Sequence, residues 1–326
     1  MSLTKTFQNR IENEIEEMFS TSADPQNLYN PAKYVMSLGG KRLRPVLCLT
    51  GCDLFDSNAV ENAVYPAIGL EVFHNFTLLH DDLMDKSDMR RNQPTVHKKW
   101  NENIAILSGD AMMVMAYRLI SKAPVNALSS VLETFGQTAI EVCEGQQYDM
   151  DFETRENVTE NEYIEMIRLK TSVLLGGSIK IGAIIGGASN EESKKLYDFG
   201  CDAGISFQIK DDWLDVFGNS ADFGKPIGGD IICNKKTFLL ITALNDLPEN
   251  SKKELKKWLD KKEFDRDEKI SAVKNFYEEA KVSKKAQEKM NFYYGKSLKR
   301  LNEVEGPKEV LSELGEFAVN MIVRTR

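Results

Sequence analysis

Apolar residues recur at intervals of three and four along one segment after another, for example Ile68, Val72, Asn75-Phe76 and Leu79, and again Ile164, Ile167, Val173 and Leu174. That spacing keeps side chains on one face of a 3.6-residue helix, whereas the period-2 alternation of strands is nearly absent. Helix ends or starts are predicted at Asn30-Pro31, Gly39-Gly40, Pro94, Ala123-Pro124, residues 187–190, Gly228-Gly229 and Leu247-Pro248. The runs between these signals are long enough for about ten to thirteen helices. No stretch rich in Pro, Gly and Ser separates two halves, and no repeat of fixed period occurs. The expected fold class is therefore all-α, a helical bundle formed by one domain over residues 1–326, and a solenoid is excluded. The longest apolar run, residues 173–187, is broken by Lys180 and several glycines and is too short to span a bilayer, so it reads as a buried helix. The Lys- and Glu-rich stretch 251–289 reads as exposed helices laced with charge pairs.

Composition narrows the partners. With 42% hydrophobic residues the chain of 326 can bury a substantial core. A net charge of -8 repels polyanions over much of the surface, which excludes a general nucleic-acid or anionic-membrane binder. Any anionic ligand must then meet a local basic cluster or metal ions. The N-terminus, with Glu12, Glu14, Glu16 and Glu17, lacks the basic-then-apolar order of a signal peptide, and no membrane insertion and a cytoplasmic location are expected. The five cysteines form no CxxC pair and the three histidines do not join them as zinc ligands, so reduced, mostly buried thiols are expected.

The chemistry concentrates in two acidic triplets, Asp81-Asp82-x-x-Asp85 and Asp211-Asp212-x-x-Asp215. On a helix, positions 81 and 85 lie about 40° apart, with position 82 at the edge of the same face. Three like charges crowded there raise the energy of the protein unless a cation compensates. Their neighbours, Phe76 to Leu79 with Leu83-Met84, and Phe207 to Ile209 with Trp213-Leu214, are mostly apolar, so neither triplet is an ordinary solvated charge run. One such triplet is a weak signal and two in apolar helices a stronger one. Carboxylate oxygens suit magnesium, which keeps several waters and completes its shell with phosphate. The spacing does not fit an EF-hand loop, and a metal-diphosphate site is the natural reading.

The sequence resembles the trans-polyprenyl diphosphate synthase family, which includes farnesyl and geranylgeranyl diphosphate synthases. The resemblance is carried by Gly39-Gly40-Lys41-Arg42-Leu43-Arg44-Pro45, His74-x5-His80-Asp81-Asp82-Leu-Met-Asp85 with Arg90-Arg91, Gly145-Gln146-x-x-Asp149, Lys170-Thr171, and Phe207-Gln208-Ile-Lys-Asp211-Asp212-x-x-Asp215, and it spans nearly the whole chain. It implies an isoprenoid synthase-like bundle with the triplets facing each other across a deep central cavity, usually in a homodimer. It implies a prenyltransferase condensing isopentenyl diphosphate with an allylic diphosphate, and metal ligation by Asp81, Asp82, Asp85, Asp211, Asp212 and Asp215, with three Mg2+ ions, or Mn2+ as substitute. Lys41, Arg44, His74 and Arg91 are expected on the isopentenyl diphosphate, with Phe207 packed on it. Arg90, Lys170, Lys225 and Lys235 are expected on the allylic diphosphate, and Lys170, Thr171 and Gln208 beside the allylic cation. Forked Arg donors and the compact Lys charge suit a diphosphate held without metal.

The helix bearing Asp81 also supplies a ruler. Phe76 lies about 7.5 Å and Phe73 about 12 Å along the axis from Asp81. An aromatic residue five positions before the first Asp, with a smaller residue at the fourth, resembles some geranylgeranyl synthases, and Phe76 with Thr77 fits that arrangement. The triplet carries no two-residue insertion, unlike the usual bacterial farnesyl pattern. A C20 product is expected, with C15 the alternative. A terpene cyclase would use a related bundle but needs no second diphosphate, and the set Lys41, Arg44, His74 and Arg91 argues against it. A silent subunit of a heteromeric synthase tends to lose such triplets, and both are whole here. The terminal Arg324 and Arg326 are given no role.

Overall fold

A computed structural model describes residues 2–21, 23–218 and 227–323. Lys225, Arg324 and Arg326 lie outside the described residues. The chain forms two compact units: Met1–Thr138, Leu174–Tyr197 and Leu301–Leu314 make the first, and Ala139–Val173, Asp198–Arg300 and Gly315–Arg326 the second. Both are helical, as expected, and among the described residues the only sheet is a two-stranded hairpin.

The first unit opens with α1 (Leu3–Met18), α2 (Gln26–Ser37), α3 (Leu43–Asp53) and α4 (Val60–Met84). The hairpin β1 (Met89–Arg90) and β2 (Gln93–Pro94) follows, then α5 (Val96–Lys99), α6 (Glu102–Ile120) and the long α7 (Val125–Thr154), whose residues up to Thr138 belong to this unit. Its core is α4 against α6 and α3, with Ile68, Leu70, Val72 and Phe73 of α4 and Met112 of α6 completely buried. The apolar run 173–187 forms α9 (Val173–Ile185), almost all of it buried, with Ile179 and Ile181 inaccessible.

The break predicted at Asn30-Pro31 is not one, since Pro31 sits inside α2. Proline lacks the N–H that would bond the carbonyl four residues back. That carbonyl, Asn27 O, instead lies 3.5 Å from the Ser108 hydroxyl, which donates to it. The other signals fall at element ends or in loops, such as Ala123-Pro124 between α6 and α7.

The second unit contains α8 (Glu160–Ile167), started by a capping box in which Thr159 and Glu162 satisfy each other's backbone N–H groups. Residues Arg168–Ser172 are a π-helical turn, in which Val173 N–H reaches Arg168 O five residues back. The helix α10 (Asn190–Phe217) enters this unit at Asp198, and α11 (Gly229–Ile232), α12 (Phe238–Asp246), α13 (Glu249–Asp260), α14 (Arg266–Glu279) and α15 (Val282–Leu301) follow. Tyr163, Ile167, Ile209, Val216, Phe238, Leu240 and Val273 share its core. The stretch 251–289 carries the expected surface pairs, Lys257 with Glu254 and Lys285 with Asp246. Lys269 departs from that reading: it is fully buried, donating 2.8 Å to Asn234 Oδ1 and 3.4 Å to Ile232 O, over the Phe264 ring.

Among the described residues α6 is the one helix long and apolar enough, by length and composition, to cross a membrane. Its Leu107 is 61% and its Val114 60% exposed. All five cysteines are free; Cys48, Cys52 and Cys201 are buried, while Cys143 and Cys233 are exposed.

Candidate functional site

In the first unit, the last turns of α4 carry Asp81 and Asp82, and Asp85 caps the helix, its N–H bonded to Asp81 O. Asp82 is buried and accepts a 2.7 Å hydrogen bond from Arg90 Nε, while Arg90 Nη2 lies 3.6 Å from Asp81 Oδ2. Burial pushes the Asp82 carboxyl above the usual carboxylate range, although Arg90 works in the opposite direction. Arg90 is placed by the hairpin, whose turn residues Arg91 and Asn92 have φ of 51° and 59°. Two consecutive left-handed residues make the tight turn that matches strand twist; Asn tolerates this conformation, whereas an Arg there holds backbone strain.

That turn brings Arg91 to the loop between α2 and α3. Its guanidinium donates to Gly39 O, and a Cβ at Gly40, where φ is 147°, would come within 3.1 Å of it. Next in this loop, Arg42 is consumed by structure: buried, it pairs with Glu71 at 2.8 Å and Glu12 at 3.0 Å and donates to Met36 O. Arg44 is not so neutralised. Its Nε is buried with no hydrogen-bond partner, and burial, opposed by the Glu71 charge and helped by that of Arg91, pulls its guanidinium down to about 10. Burial and then the charges of Arg44, Arg91, Arg90 and Arg42 hold His74 well below its ordinary value, so it is neutral at pH 7. Lys41, in the same loop, is exposed. This half thus concentrates positive charge, with an unsatisfied donor, where the resemblance expects a diphosphate.

Behind the triplet, Phe76 is half-buried and stacks edge-on with His80 at 4.8 Å and leans on Phe73 at 5.6 Å. Phe73 meets Phe135 of α7 at 5.3 Å, and Phe135 meets Tyr117 of α6 at 4.8 Å. Thr77 donates its hydroxyl to His74 O at 2.7 Å. The His80 Nε2 lies 3.2 Å from Ile106 O, fastening α4 to α6.

In the second unit the sites converge on the π-helical turn. Gly145 of α7 and Gly204 of α10 let two helices press against it: a Cβ at Gly145 would fall 2.2 Å from Lys170 N, and one at Gly204 would fall 2.8 Å from Ser172 Cα. The wide turn carries Lys170 and Thr171, and such single turns gather at functional sites. Lys170 Nζ lies 2.6 Å and Lys235 Nζ 3.4 Å from Asp149 Oδ2. Burial would raise the Asp149 carboxyl, but the two lysines outweigh it and bring it below the ordinary range.

Gln208, Asp211, Asp212 and Asp215 project from α10, with Phe207 half-buried beside them. Thr171 Oγ donates to Gln208 Oε1 at 3.0 Å, Gln208 Nε2 to Asp212 Oδ1 at 2.9 Å, and Tyr163 Oη to Asp212 Oδ2 at 2.6 Å. Asp215 Oδ2 accepts from Asp230 N at 3.0 Å, which fixes the start of α11. Burial, then the charge of Asp212, pushes the Asp230 carboxyl upward; Asp215 and Asp149 add to the shift.

The donor chemistry fits magnesium. Among the described residues no three Asp, Glu, His or Cys side chains converge into a ready metal cage. Carboxylate oxygens are the donors this ion takes, and it completes its shell with water and phosphate. The middle carboxylates of the two triplets, Asp82 and Asp212, are buried and hydrogen-bonded to Arg90 and to Tyr163 and Gln208.

Sequence reasoning passed over Tyr163, Asp230 and His97, and quoted Asp149 without giving it a task. Tyr163 stands four residues before Ile167, a helical spacing that marks it as core. His97 of α5 has both ring nitrogens buried without a hydrogen-bond partner. Nothing in its local sequence signals that.

The family profile described as polyprenyl synthetase matches residues 25–278, which take in segments of both units. A geranylgeranyl diphosphate synthase of Methanosarcina mazei is 41% identical over 249 residues, 74% of this chain and 76% of that one. Another, of Sulfolobus acidocaldarius, is 35% identical over 334 aligned residues, covering 98% of this chain and 99% of its own. A crystal structure of a geranylgeranyl pyrophosphate synthase matches with a TM-score of 0.94 at 41% identity, covering 99% of each chain. The chain therefore belongs to the polyprenyl synthetase family of prenyltransferases.

Proposed function

We propose that this chain condenses isopentenyl diphosphate with an allylic diphosphate to give the C20 product, geranylgeranyl diphosphate. The observation that carries the reading is the basic set of the first unit. Arg44, with its orphaned Nε, stands with Arg91 and neutral His74 as a diphosphate receptor distinct from the carboxylates. A cyclase has no use for it, whereas a condensing enzyme must hold a second diphosphate. Lys41 completes that site in this reading. The names of the relatives support the C20 product.

Asp81, Asp85, Asp211 and Asp215 are proposed to hold magnesium, three ions with substrate bound, and Asp82 and Asp212 to position their neighbours. Manganese suits the same oxygen donors. When bound, the metal neutralises charge gathering on the departing diphosphate. Lys170 and Lys235 add fixed positive charge for the allylic diphosphate, a stabilisation in place before reaction begins. Thr171, Gln208 and Lys170 flank the allylic cation, and the isopentenyl double bond attacks it before a proton is lost. Phe76, backed by Phe73 and bordered by Thr77, is the floor that limits chain growth. The apolar stripe of Leu107, Val114 and Tyr117 on α6 is proposed to meet a second copy in a homodimer. A cytoplasmic location accords with the free cysteines.

The test incubates the purified chain alone with Mg2+, isopentenyl diphosphate and farnesyl diphosphate and reads products by mass spectrometry. A C20 diphosphate is expected. Asp81→Ala and Asp211→Ala should each lower kcat by about 100-fold or more with the helical circular dichroism intact. Near-normal turnover in either variant defeats the assignment.

A further inference from the structure

Three hydrogen bonds of the second unit converge on the Asp212 carboxylate, one from Tyr163 and two in series from Thr171 through Gln208. Tyr163, 1% exposed, donates to one oxygen of Asp212, and Gln208 donates its amide to the other. An ionised carboxylate only accepts, so it dictates which end of the amide faces it. The reverse amide orientation would set Gln208 Oε1 against Asp212 Oδ1, two acceptors at hydrogen-bond distance. With Nε2 committed to Asp212, Oε1 is left for Thr171, whose hydroxyl proton points to it at 3.0 Å. The sequence ends at a Thr171 oxygen whose hydrogen is already engaged by Gln208, so that it presents lone pairs alone. A hydroxyl free to rotate would instead offer its hydrogen to a neighbouring cation part of the time, which repels it.

We propose that Tyr163 is a positioning residue for the condensation: by clamping Asp212 it fixes the Gln208 amide and so locks Thr171 as an electron-pair donor toward the allylic cation. This rests on the reading above that Thr171 flanks that cation. Tyr163 never touches substrate. Its position accounts for its being buried at the head of the π-helical turn, on α8, while Thr171 rides on the turn itself. Preset dipoles of this kind act without reorganisation as charge develops.

The experiment is a double-mutant cycle on the full chain, with kcat, both KM values and the magnesium midpoint measured for Tyr163→Phe, Thr171→Val, Thr171→Ser and the pair Tyr163→Phe with Thr171→Val. Tyr163→Phe is expected to lower kcat about tenfold, the worth of one buried hydrogen bond, with KM values and magnesium midpoint unchanged. Thr171→Ser should turn over nearly as wild type and Thr171→Val much less. The double variant should be no slower than Thr171→Val alone, because Tyr163 acts through that hydroxyl. Wild-type kcat in Tyr163→Phe, or losses that multiply in the pair, overturns the proposal while leaving Thr171 its place. Wild-type kcat in Thr171→Val removes Thr171 from the cation and overturns both. If Tyr163→Phe does not fold, Asp212→Asn tests the same sequence of bonds, since an amide satisfies Gln208 in either orientation and so releases it from the single one. A kcat loss that excess magnesium does not restore supports the proposal, and wild-type kcat or full restoration overturns it.

Discussion

Arg42 and Arg44 stand two residues apart and differ entirely in state. Glu12 and Glu71 neutralise Arg42, whereas Arg44 keeps a buried donor unsatisfied. Nothing local in Lys41-Arg42-Leu43-Arg44 distinguishes them; the carboxylates that decide the matter are remote in sequence, and only the family resemblance singles out Arg44. His74 follows the same logic. Because its native value lies below that of the unfolded chain, the unfolded state takes up a proton first as pH falls through about 6.5. Stability should drop from pH 7 to pH 5.5 in urea titrations, and His74→Gln should flatten that drop. Asp230 has the opposite sign. Its native carboxyl is raised, so its contribution is full below about pH 4 and is lost as pH rises toward the native value. The metal-free protein should therefore become less stable toward pH 8, and Asp230→Asn should abolish that part of the loss.

At the scale of elements, apolar patterning located α4 and α9 well, because long helices accumulate signal over many turns. It failed where one residue decides. Pro31 looked like a break, but Ser108 across the fold satisfies the freed carbonyl. Ile164 and Ile167 were read as one stripe, yet Ile164 is half-buried and Tyr163 is the fully buried member of that turn. The π-helical turn left no compositional trace at all, since it depends on Gly145 and Gly204, remote in sequence, admitting the backbone of 168–172. Gly145→Ala is expected to destabilise the protein by about 1–3 kcal/mol in urea titrations, because the added Cβ meets backbone rather than a yielding side chain. It should also lower kcat. The aromatic ladder makes a graded expectation: Phe76→Ala should lengthen products beyond C20 by mass spectrometry, and growth should still be finite because Phe73, Phe135 and Tyr117 remain. Unchanged chain lengths would rule out Phe76 as the floor.

For the molecule as a whole, fold class was the most legible property and assembly the least. A helical pattern without strand alternation determines the class, while the outward face of α6 looks, in sequence, like one more core helix. Only its exposure in the fold marks it as a surface needing cover. Leu107→Glu combined with Val114→Glu should halve the mass found by light scattering; a wild-type mass would place the dimer contact elsewhere. The wide turn at 168–172 has one more consequence. It amounts to a single residue inserted into an otherwise regular helix, so a chain shortened by one there could relax into unbroken α-geometry. Such a deletant should resist denaturant at least as well as its parent and make no product at all, showing that this chain keeps an imperfect helix for the sake of what it displays.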